Sequence, residues 1–172
     1  RDIIVYPDKR LKKISKEVTF FDQNLHTILD DMYETMVAKN GIGLASIQVA
    51  IPKQILIINI PIDVDDKERD QPKSNTIEMI NPIIIDSNGS EIHQEGCLSV
   101  PNIYEDIERF KYIRVEFVNR YGEKKTIETD TFLAVAIQHE MEHLDGKLFI
   151  EKFSYIKRKK FEKEWKKRNK EK

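Results

Sequence analysis

Two histidines one helical turn apart are the residues of this 172-residue chain best suited to chemistry. His139 and His143 stand at positions i and i+4 of the segment QHEMEH, so on a helix their side chains share one face. Imidazoles placed in this way can chelate one metal ion, and Glu140 beside them could take a proton from a metal-bound water. The alternative is a charged helix with incidental histidines, because HExxH fixes only three positions.

A third metal ligand must come from another segment, because catalytic zinc sites typically have three protein ligands and one open position. No histidine follows His143, and the acids after it lie at a helix end or on a basic tail. Cys97, the only cysteine, lies upstream in EGCLSVP, and a thiolate is a strong ligand for Zn²⁺ or Fe²⁺. A lone cysteine is more often a small buried apolar residue. Beside HExxH, the metal-ligand interpretation is favoured.

A glycine-containing segment, GIGLASIQV at residues 41–49, is the third candidate. It lacks the full GxGxxG pattern and follows a predicted helix rather than a strand, which argues against a nucleotide site. Its two glycines and the nearby Gln48 amide indicate that the backbone approaches a ligand beside a side-chain donor. A tight turn with no further role explains this segment equally well.

Together, GIGLASIQ, EGCLSVP and QHEMEH, in this order and at these separations, resemble the three motifs of the peptide deformylases. The similarity extends to YPDKRLKKIS, INPII and ERFKYIRVEF. The resemblance implies a metal-dependent hydrolase that removes the N-terminal formyl group from formyl-methionyl nascent polypeptides and releases formate. A metal-bound water would be the nucleophile, and Glu140 would be the general acid and base.

The resemblance also implies a role for each site residue. The metal would be one divalent ion, Fe²⁺ in the cell, with Zn²⁺, Ni²⁺ or Co²⁺ as substitutes. Its ligands would be Cys97, His139 and His143. The oxyanion would be stabilised by the Gln48 side-chain amide and the Leu98 backbone N–H. An extended peptide would pair with the backbone of Ile42, Gly43 and Gly96. The methionine side chain would contact Leu98, Phe132, Val135, Ala136 and the His139 ring.

Four positions depart from the pattern of the family. Ser46 and Ile47 stand where relatives commonly have Ala and, often, Pro before the glutamine. Glu142 replaces the Asp of HExDH, and Tyr104 stands where relatives often have Arg at the mouth of the site. None of the four is a predicted ligand or the predicted base.

The pattern of elements predicts a single α+β domain over residues 1–172. We expect antiparallel or mixed β-sheets packed around a central helix that carries HExxH, with an N-terminal and a C-terminal helix. The helices are predicted at 22–40, capped by Asp22 and ended at Gly41, at 131–145, capped by Asp130 and ended at Gly146, and at 154–170. Strands are predicted at 54–60, 77–86, 111–119 and 124–128, with a surface loop at 61–75 and a turn at 87–89.

The charge is segregated along the chain. Residues 151–172 hold 11 basic and 4 acidic side chains, a net charge of +7, against −8 for the other residues. Such a run is usually a solvated helix face. Phe161 and Trp165 at i and i+4, with Ile156 before them, could dock the helix on the body. Its lysines could then bind phosphate backbone, and we hypothesise that this helix anchors the protein to the ribosome.

Other function classes remain open on the sequence. A zinc endopeptidase would need a downstream third ligand, a nucleic-acid-binding protein would leave HExxH unexplained, and a deformylase paralogue could act on another substrate. No apolar run approaches the roughly 20 residues needed to span a bilayer, and the start lacks a signal-peptide layout. A single cysteine excludes an internal disulfide. We therefore expect a cytoplasmic monomer with no membrane partner.

Overall fold

The computed structural model describes residues 1–62 and 70–170. Its α-helices are α1 (Gln23–Ala38), α2 (Phe132–Leu144) and α3 (Tyr155–Lys170). Its strands are β1 (Gly43–Ala45), β2 (Ile55–Ile58), β3 (Ile77–Asn88), β4 (Glu91–Cys97), β5 (Val100–Arg109), β6 (Tyr112–Val118) and β7 (Lys124–Thr129). Short 3₁₀ turns lie at Lys9–Lys12, Ser46–Val49, Lys73–Asn75 and Phe149–Lys152.

The strands form a five-stranded sheet and a separate hairpin. The sheet has the order β1-β2-β3-β6-β7 with antiparallel pairing throughout, and β4 pairs with β5. Helix α2 packs against β1 and β2, and its Ala134 and Ile137 are fully buried in the core that the sheet contributes to. The predicted α+β class is confirmed. Strand β1 lies at the edge of the sheet, so one side of its backbone is not paired within the sheet.

Helix α1 begins where it was predicted to begin. The Asp22 side chain accepts a hydrogen bond from the backbone N–H of Leu25 at 3.1 Å, as a helix cap does. The predicted end at Gly41 is slightly wrong, because the left-handed residue that closes the helix is Asn40, with φ of 57°. Gly41 N–H still bonds back to Met36 O at 2.9 Å, so the chain enters β1 directly.

Helix α2 is capped by a different residue from the one predicted. The Thr131 hydroxyl, rather than the Asp130 carboxylate, accepts from the backbone N–H of Leu133 at 3.3 Å. Gly146 ends the helix as predicted, with φ of 73°. A Cβ on Gly146 would lie 2.3 Å from Lys12 O, so only glycine fits at this crossing.

The β4–β5 hairpin was not predicted, although it carries Cys97. The buried residues of β5 are Val100, Ile103, Ile107 and Arg109, and the alternation is broken between Val100 and Ile103, where Asn102 has φ of 63°. This irregularity hides the period-2 pattern of a strand. The predicted turn at 87–89 is also wrong in part, because the strand runs to Asn88 and pairs with Tyr112 there.

Two terminal predictions were only partly correct. Phe161 is buried and Trp165 is half-buried, and both pack on Tyr6 with ring centroids 5.3 Å apart. Ile156 does not help to dock α3, because it is 80% exposed. The predicted loop at 61–75 and the predicted basic helix at 151–172 both extend beyond the described residues, at 63–69 and 171–172. Within the described ranges, no helix is long and apolar enough to cross a bilayer.

Candidate active site

Three side chains from two elements converge to form a candidate metal centre. Cys97 ends β4, and His139 and His143 lie one turn apart on α2. One potential ligand atom from each residue lies within 4.8 Å of the other two, and Cys97 Sγ is 3.5 Å from His143 Nε2. The structure therefore brings together the three predicted ligands. A thiolate and two imidazoles are a donor set that suits Zn²⁺ or Fe²⁺.

The two histidines are held in different ways. The Glu95 carboxylate lies 2.9 Å from His139 Nδ1 and holds a proton on that nitrogen. Burial would lower the pKa of His139, but its hydrogen bonds with Cys97 and Glu95 raise it well above the ordinary value, so the ring must release its Nε2 proton when it binds a metal. His143 is fully buried, and its Nδ1 has no hydrogen-bond partner among the described residues. Burial, helped by the nearby charges of His139 and Arg109, lowers the pKa of His143 well below its ordinary value. His143 is therefore neutral, as a metal ligand must be.

A buried ion network supports the first histidine. Arg109 donates to both carboxylate oxygens of Glu95, at 2.8 and 2.7 Å, and a further N–H of Arg109 donates to Glu142. Burial alone would raise the pKa of Glu95, but the hydrogen bonds from Arg109 and His139 outweigh it, and the pKa lies below its usual value. Lys152 completes the network at 3.3 Å from Glu142. Glu142, which replaces the Asp of HExDH, therefore binds Arg109. Arg109 in turn holds the Glu95 carboxylate that contacts His139.

Glu140 has the environment of a proton-transfer group. It is 4% exposed, and its Oε2 has no hydrogen-bond partner among the described residues. Burial raises the pKa of this carboxyl to about 7, so it can both accept and release a proton near neutrality. Gly43 leaves the space for it, because a Cβ there would lie 3.0 Å from Glu140 Cγ.

Gln48 lies behind the metal centre rather than on the cleft wall. Its Oε1 accepts from the backbone N–H of Ala45 at 2.9 Å, which fixes which end of the amide faces the site. Its Nε2 donates to Ser99 Oγ at 3.0 Å and lies 3.7 Å from Cys97 Sγ. One N–H of the Gln48 amide is thus bonded to Ser99, and the other points toward the sulfur of Cys97.

A cleft of about 550 Å³ opens over the candidate metal centre. Its floor includes Cys97, His139 and Glu140. The cleft is lined by all the residues predicted to contact the peptide or the methionine side chain: Ile42, Gly43, Gly96, Leu98, Phe132, Val135 and Ala136. Edge strand β1 forms one wall and the β4–β5 hairpin forms the opposite wall, so an extended peptide would have backbone on both sides.

Two of the sequence departures are explained by packing away from the cleft. The Ser46 hydroxyl lies 2.8 Å from both Ile51 O and Lys53 O, and Ile47 is buried in the main core. Tyr104 is different, because it lines the cleft and is 64% exposed. Its ring packs so closely on Gly96 that a Cβ there would lie 2.6 Å from Tyr104 Cε1.

Sequence reasoning missed three residues that support the site: Glu95, Arg109 and Ser99. Two of them lie inside EGCLSVP, and Arg109 lies inside ERFKYIRVEF, so the segments were singled out but the roles were not. The available signal was the charged residue Glu95, two positions before the predicted ligand Cys97. The partner of Glu95 could not be identified from the sequence, because the pairing of β4 with β5, which was not predicted, is what brings Arg109 to Glu95.

Comparison with known proteins agrees with this geometry. The model of the polypeptide deformylase family matches residues 1–159. A peptide deformylase of Nautilia profundicola is 52% identical over 171 residues, which cover 99% of this chain and 96% of that protein. This chain belongs to the polypeptide deformylase family.

Solved structures of the family have the same fold. The crystal structure of a peptide deformylase from Legionella pneumophila has a TM-score of 0.86 and 36% identity, and the match covers 99% of this chain and 95% of that one. A peptide deformylase from Ehrlichia chaffeensis in complex with actinonin has a TM-score of 0.86 and 37% identity, covering 97% and 96% of the two chains. The family assignment therefore rests on both sequence and fold.

Proposed function

We propose that this chain is a metal-dependent hydrolase that removes the N-terminal formyl group from formyl-methionyl polypeptides and releases formate. Family membership supports the reaction class. The observation that carries the proposal is the convergence of Cys97, His139 and the buried His143 at the base of the cleft, beside a Glu140 carboxylate oxygen that has no hydrogen-bond partner among the described residues. A zinc endopeptidase is disfavoured, because Cys97 would then have no role in the site.

The metal is proposed to be one divalent ion, Fe²⁺ in the cell, held by Cys97, His139 and His143. The ligand types also accept Zn²⁺, Ni²⁺ or Co²⁺, and general affinity order favours Zn²⁺ over Fe²⁺. When bound, the ion would supply a water of lowered pKa as the nucleophile and would polarise the formyl oxygen. The Glu95–Arg109 pair keeps the His139 imidazole in the tautomer and orientation that this binding requires.

Glu140 is proposed to move the proton. Its carboxylate accepts the proton of the attacking water and passes it to the nitrogen of the leaving amine, so one residue acts as base and then as acid. The unpartnered Oε2 makes this oxygen available, and a pKa of about 7 suits both steps. Gly43 keeps the approach to the carboxylate clear of side-chain atoms.

The oxyanion is proposed to be stabilised by two N–H groups, the Leu98 backbone and the second N–H of Gln48. That second N–H makes only a long contact with Cys97 Sγ, 3.7 Å from Nε2, and so can be given to a substrate oxygen at little cost. Leu98 lines the cleft, whereas Gln48 reaches it from behind the cysteine.

The peptide is proposed to bind as an added strand between β1 and the hairpin, pairing with Ile42, Gly43 and Gly96. The methionine side chain would fill the apolar part of the cleft at Leu98, Phe132, Val135 and Ala136. Formyl is the smallest acyl group, so an enclosed catalytic centre would reject acetyl by steric exclusion. Actinonin, bound by the Ehrlichia chaffeensis relative, is expected to bind the same cleft.

The C-terminal helix is proposed to contact the ribosome. Lys159, Lys160, Lys163, Lys166 and Lys167 are exposed on α3, while Phe161 and Trp165 hold the opposite face on the body. A polycation held in this way binds phosphate backbone with strong salt dependence. The proposed substrate, a nascent chain, also emerges from the ribosome.

The monomeric state and the single domain over 1–172 also stay predictions.

The proposed activity is tested by metal analysis of anaerobically purified protein together with formate release from formyl-Met-Ala-Ser. We expect about one metal per chain and a kcat/KM that is highest on formyl-Met, lower on formyl-Ala, and lowest on acetyl-Met peptides. Comparable rates on acetyl-Met peptides, or cleavage of internal peptide bonds, would contradict the proposal.

A further inference from the structure

Gln71 is a buried side chain that makes its contacts at the start of the cleft wall. It is 6% exposed, and its Nε2 donates to Gly41 O at 2.9 Å and to Asn59 O at 2.7 Å. Gly41 lines the cleft two residues before β1, and Asn59 immediately follows β2. The Gln71 amide therefore joins the segment before β1 to the segment after β2 at the end of the β1–β2 ladder.

The chemistry of this bridge requires a primary amide. Both partners are backbone carbonyls, so the residue between them must supply two protons from one atom, as the NH₂ of Gln does. A carboxylate would place oxygen against oxygen, and an apolar side chain would leave two buried acceptors without a donor. The contact with Asn59 continues the pairing of the ladder, because Asn59 N–H already donates to Ile42 O at 2.8 Å.

Gln71 itself is held rigidly from two sides. Its backbone carbonyl accepts from the Tyr33 hydroxyl of α1 at 2.5 Å. The next residue, Pro72, accepts from the Asn59 side-chain amide at 3.0 Å, and that amide also donates to Thr76 Oγ1 at 3.0 Å. The position of the Gln71 amide is thus fixed by the body of the protein rather than by β1.

Gly41, which Gln71 anchors, and Gly43 two residues further on leave little freedom for the cleft wall. A Cβ on Gly41 would lie 2.6 Å from Leu98 Cδ1, and one on Gly43 would lie 3.0 Å from Glu140 Cγ. A shift of this backbone by a fraction of an ångström therefore moves it against the residues that face the substrate. Displacements of about 1 Å in substrate-positioning groups can cost on the order of 10²-fold in rate.

We propose that Gln71 is a positioning residue that fixes the Gly41–Gly43 backbone for pairing with an extended peptide. The proposal rests on the proposed function, in which Ile42 and Gly43 pair with the substrate backbone. Gln71 is not among the residues that line the cleft, and the hydrogen bonds described above join it to Tyr33, Gly41 and Asn59 rather than to a candidate metal ligand or Glu140. Its loss should therefore weaken peptide binding without removing metal or the proton-transfer group.

The test compares Gln71→Met and Gln71→Glu, which both remove the donors at nearly constant size, with Thr76→Val. The control removes a partly buried hydrogen bond from the same loop but leaves the Gly41 carbonyl paired. KM and kcat are measured on formyl-Met-Ala-Ser and on formyl-Met amide, with metal content alongside. We expect both Gln71 variants to raise KM for the tripeptide about tenfold, with kcat within about twofold, since lost ground-state binding appears in KM.

The effect should be smaller on formyl-Met amide, which is too short to pair along the wall. Amide hydrogen exchange at Asn59, whose N–H donates to Ile42 O at 2.8 Å, reports the end of the ladder without reference to activity, and it should be faster in the Gln71 variants only. Faster exchange in a chain that releases no formate would retain the positioning role while overturning the proposed function. Equal KM and exchange in Gln71→Met and Thr76→Val, or failure of both Gln71 variants to fold, would overturn the inference.

Discussion

Helices α2 and α3 are similar in length, yet they use their polar residues in opposite ways. Most polar side chains of α2 are buried, and two of them bond to distant segments: Gln138 bonds the backbone N–H and carbonyl of Phe110 at 3.0 and 2.9 Å, and His139 contacts Glu95. The charges of α3 are mostly exposed and pair locally, as Arg158 does with Glu162. Phe161 and Trp165 tie the middle of α3 to the body, and Lys157 near its start pairs with Glu105 of β5 at 2.9 Å.

The difference shows where residue identity is constrained. A buried polar group needs a partner of the right kind at the right place, or it destabilises the fold by the cost of its desolvation. In α2, nearly every polar position is therefore specified by both folding and chemistry. An exposed charge needs only water, so α3 can be altered widely while the two aromatic contacts persist. Substitutions should follow this order of effect.

The largest effect is expected at the metal centre. Replacing Cys97 with Ala removes the only sulfur ligand and leaves two histidines, too few to hold the ion firmly. Stoichiometric metal and formate release should both be lost, as measured by metal analysis and by turnover of formyl-Met-Ala-Ser. A variant with full metal and full activity would show that the third ligand lies elsewhere and would favour the endopeptidase alternative.

Glu140→Gln should separate chemistry from metal binding on the same helix. The amide keeps the shape of the side chain but cannot accept the proton, so kcat should fall by about 10²–10⁴-fold. Metal content should stay near that of the parent protein, because Glu140 is proposed to be no ligand. Loss of metal in this variant would show that the carboxylate has been assigned the wrong role.

Arg109→Met should act on stability as well as on the site. It leaves the buried Glu95 and the half-buried Glu142 without their shared cation, and breaking such a buried pair costs about 3–5 kcal/mol. Denaturant unfolding measures the loss. Arg114→Met is the matched control, because its pair with Glu128 is exposed and worth at most about 1 kcal/mol. Equal losses in the two variants would remove the distinction between buried and exposed charge.

The sequence was most informative where chemistry restricts residue type. HExxH, a lone cysteine and the glycines before Gln48 located the candidate ligands, the proposed base and one cleft wall, because few other residues could perform these functions. The resemblance of the motifs to a family supplied the reaction. The cap at Asp22 and the end at Gly146 were also readable, because both depend on residues close in sequence.

Features that depend on contacts between segments far apart in the chain could not be predicted from the sequence. Asn102 interrupts the alternation of β5, so the hairpin that carries Cys97 was missed, and with it the route from Arg109 to Glu95. Gln71 likewise reaches Gly41 across 30 positions of chain. Ile156 was assigned to the docking face from its spacing, but the body of the protein does not extend far enough to cover it.

The smallest effect on folding is expected on the outer face of α3, and it tests the proposed ribosome contact. Lys163 and Lys167 lie one turn apart and are exposed, so reversing both to Glu should change stability by less than about 0.5 kcal/mol. Lys124 and Lys125 on β7 are also exposed, and their double reversal changes the net charge by the same amount at another place. Both variants should retain turnover of formyl-Met-Ala-Ser.

Only the α3 variant should lose co-sedimentation with ribosomes at low salt, because a contact with phosphates depends on where the cations are held and not on net charge alone. The parent protein should also be released by salt, with a steeper dependence than the α3 variant. If both variants lose binding equally, the attraction is a general effect of charge. If neither does, α3 serves only as a solvated helix that is held on the body by contacts such as those of Phe161 and Trp165 with Tyr6.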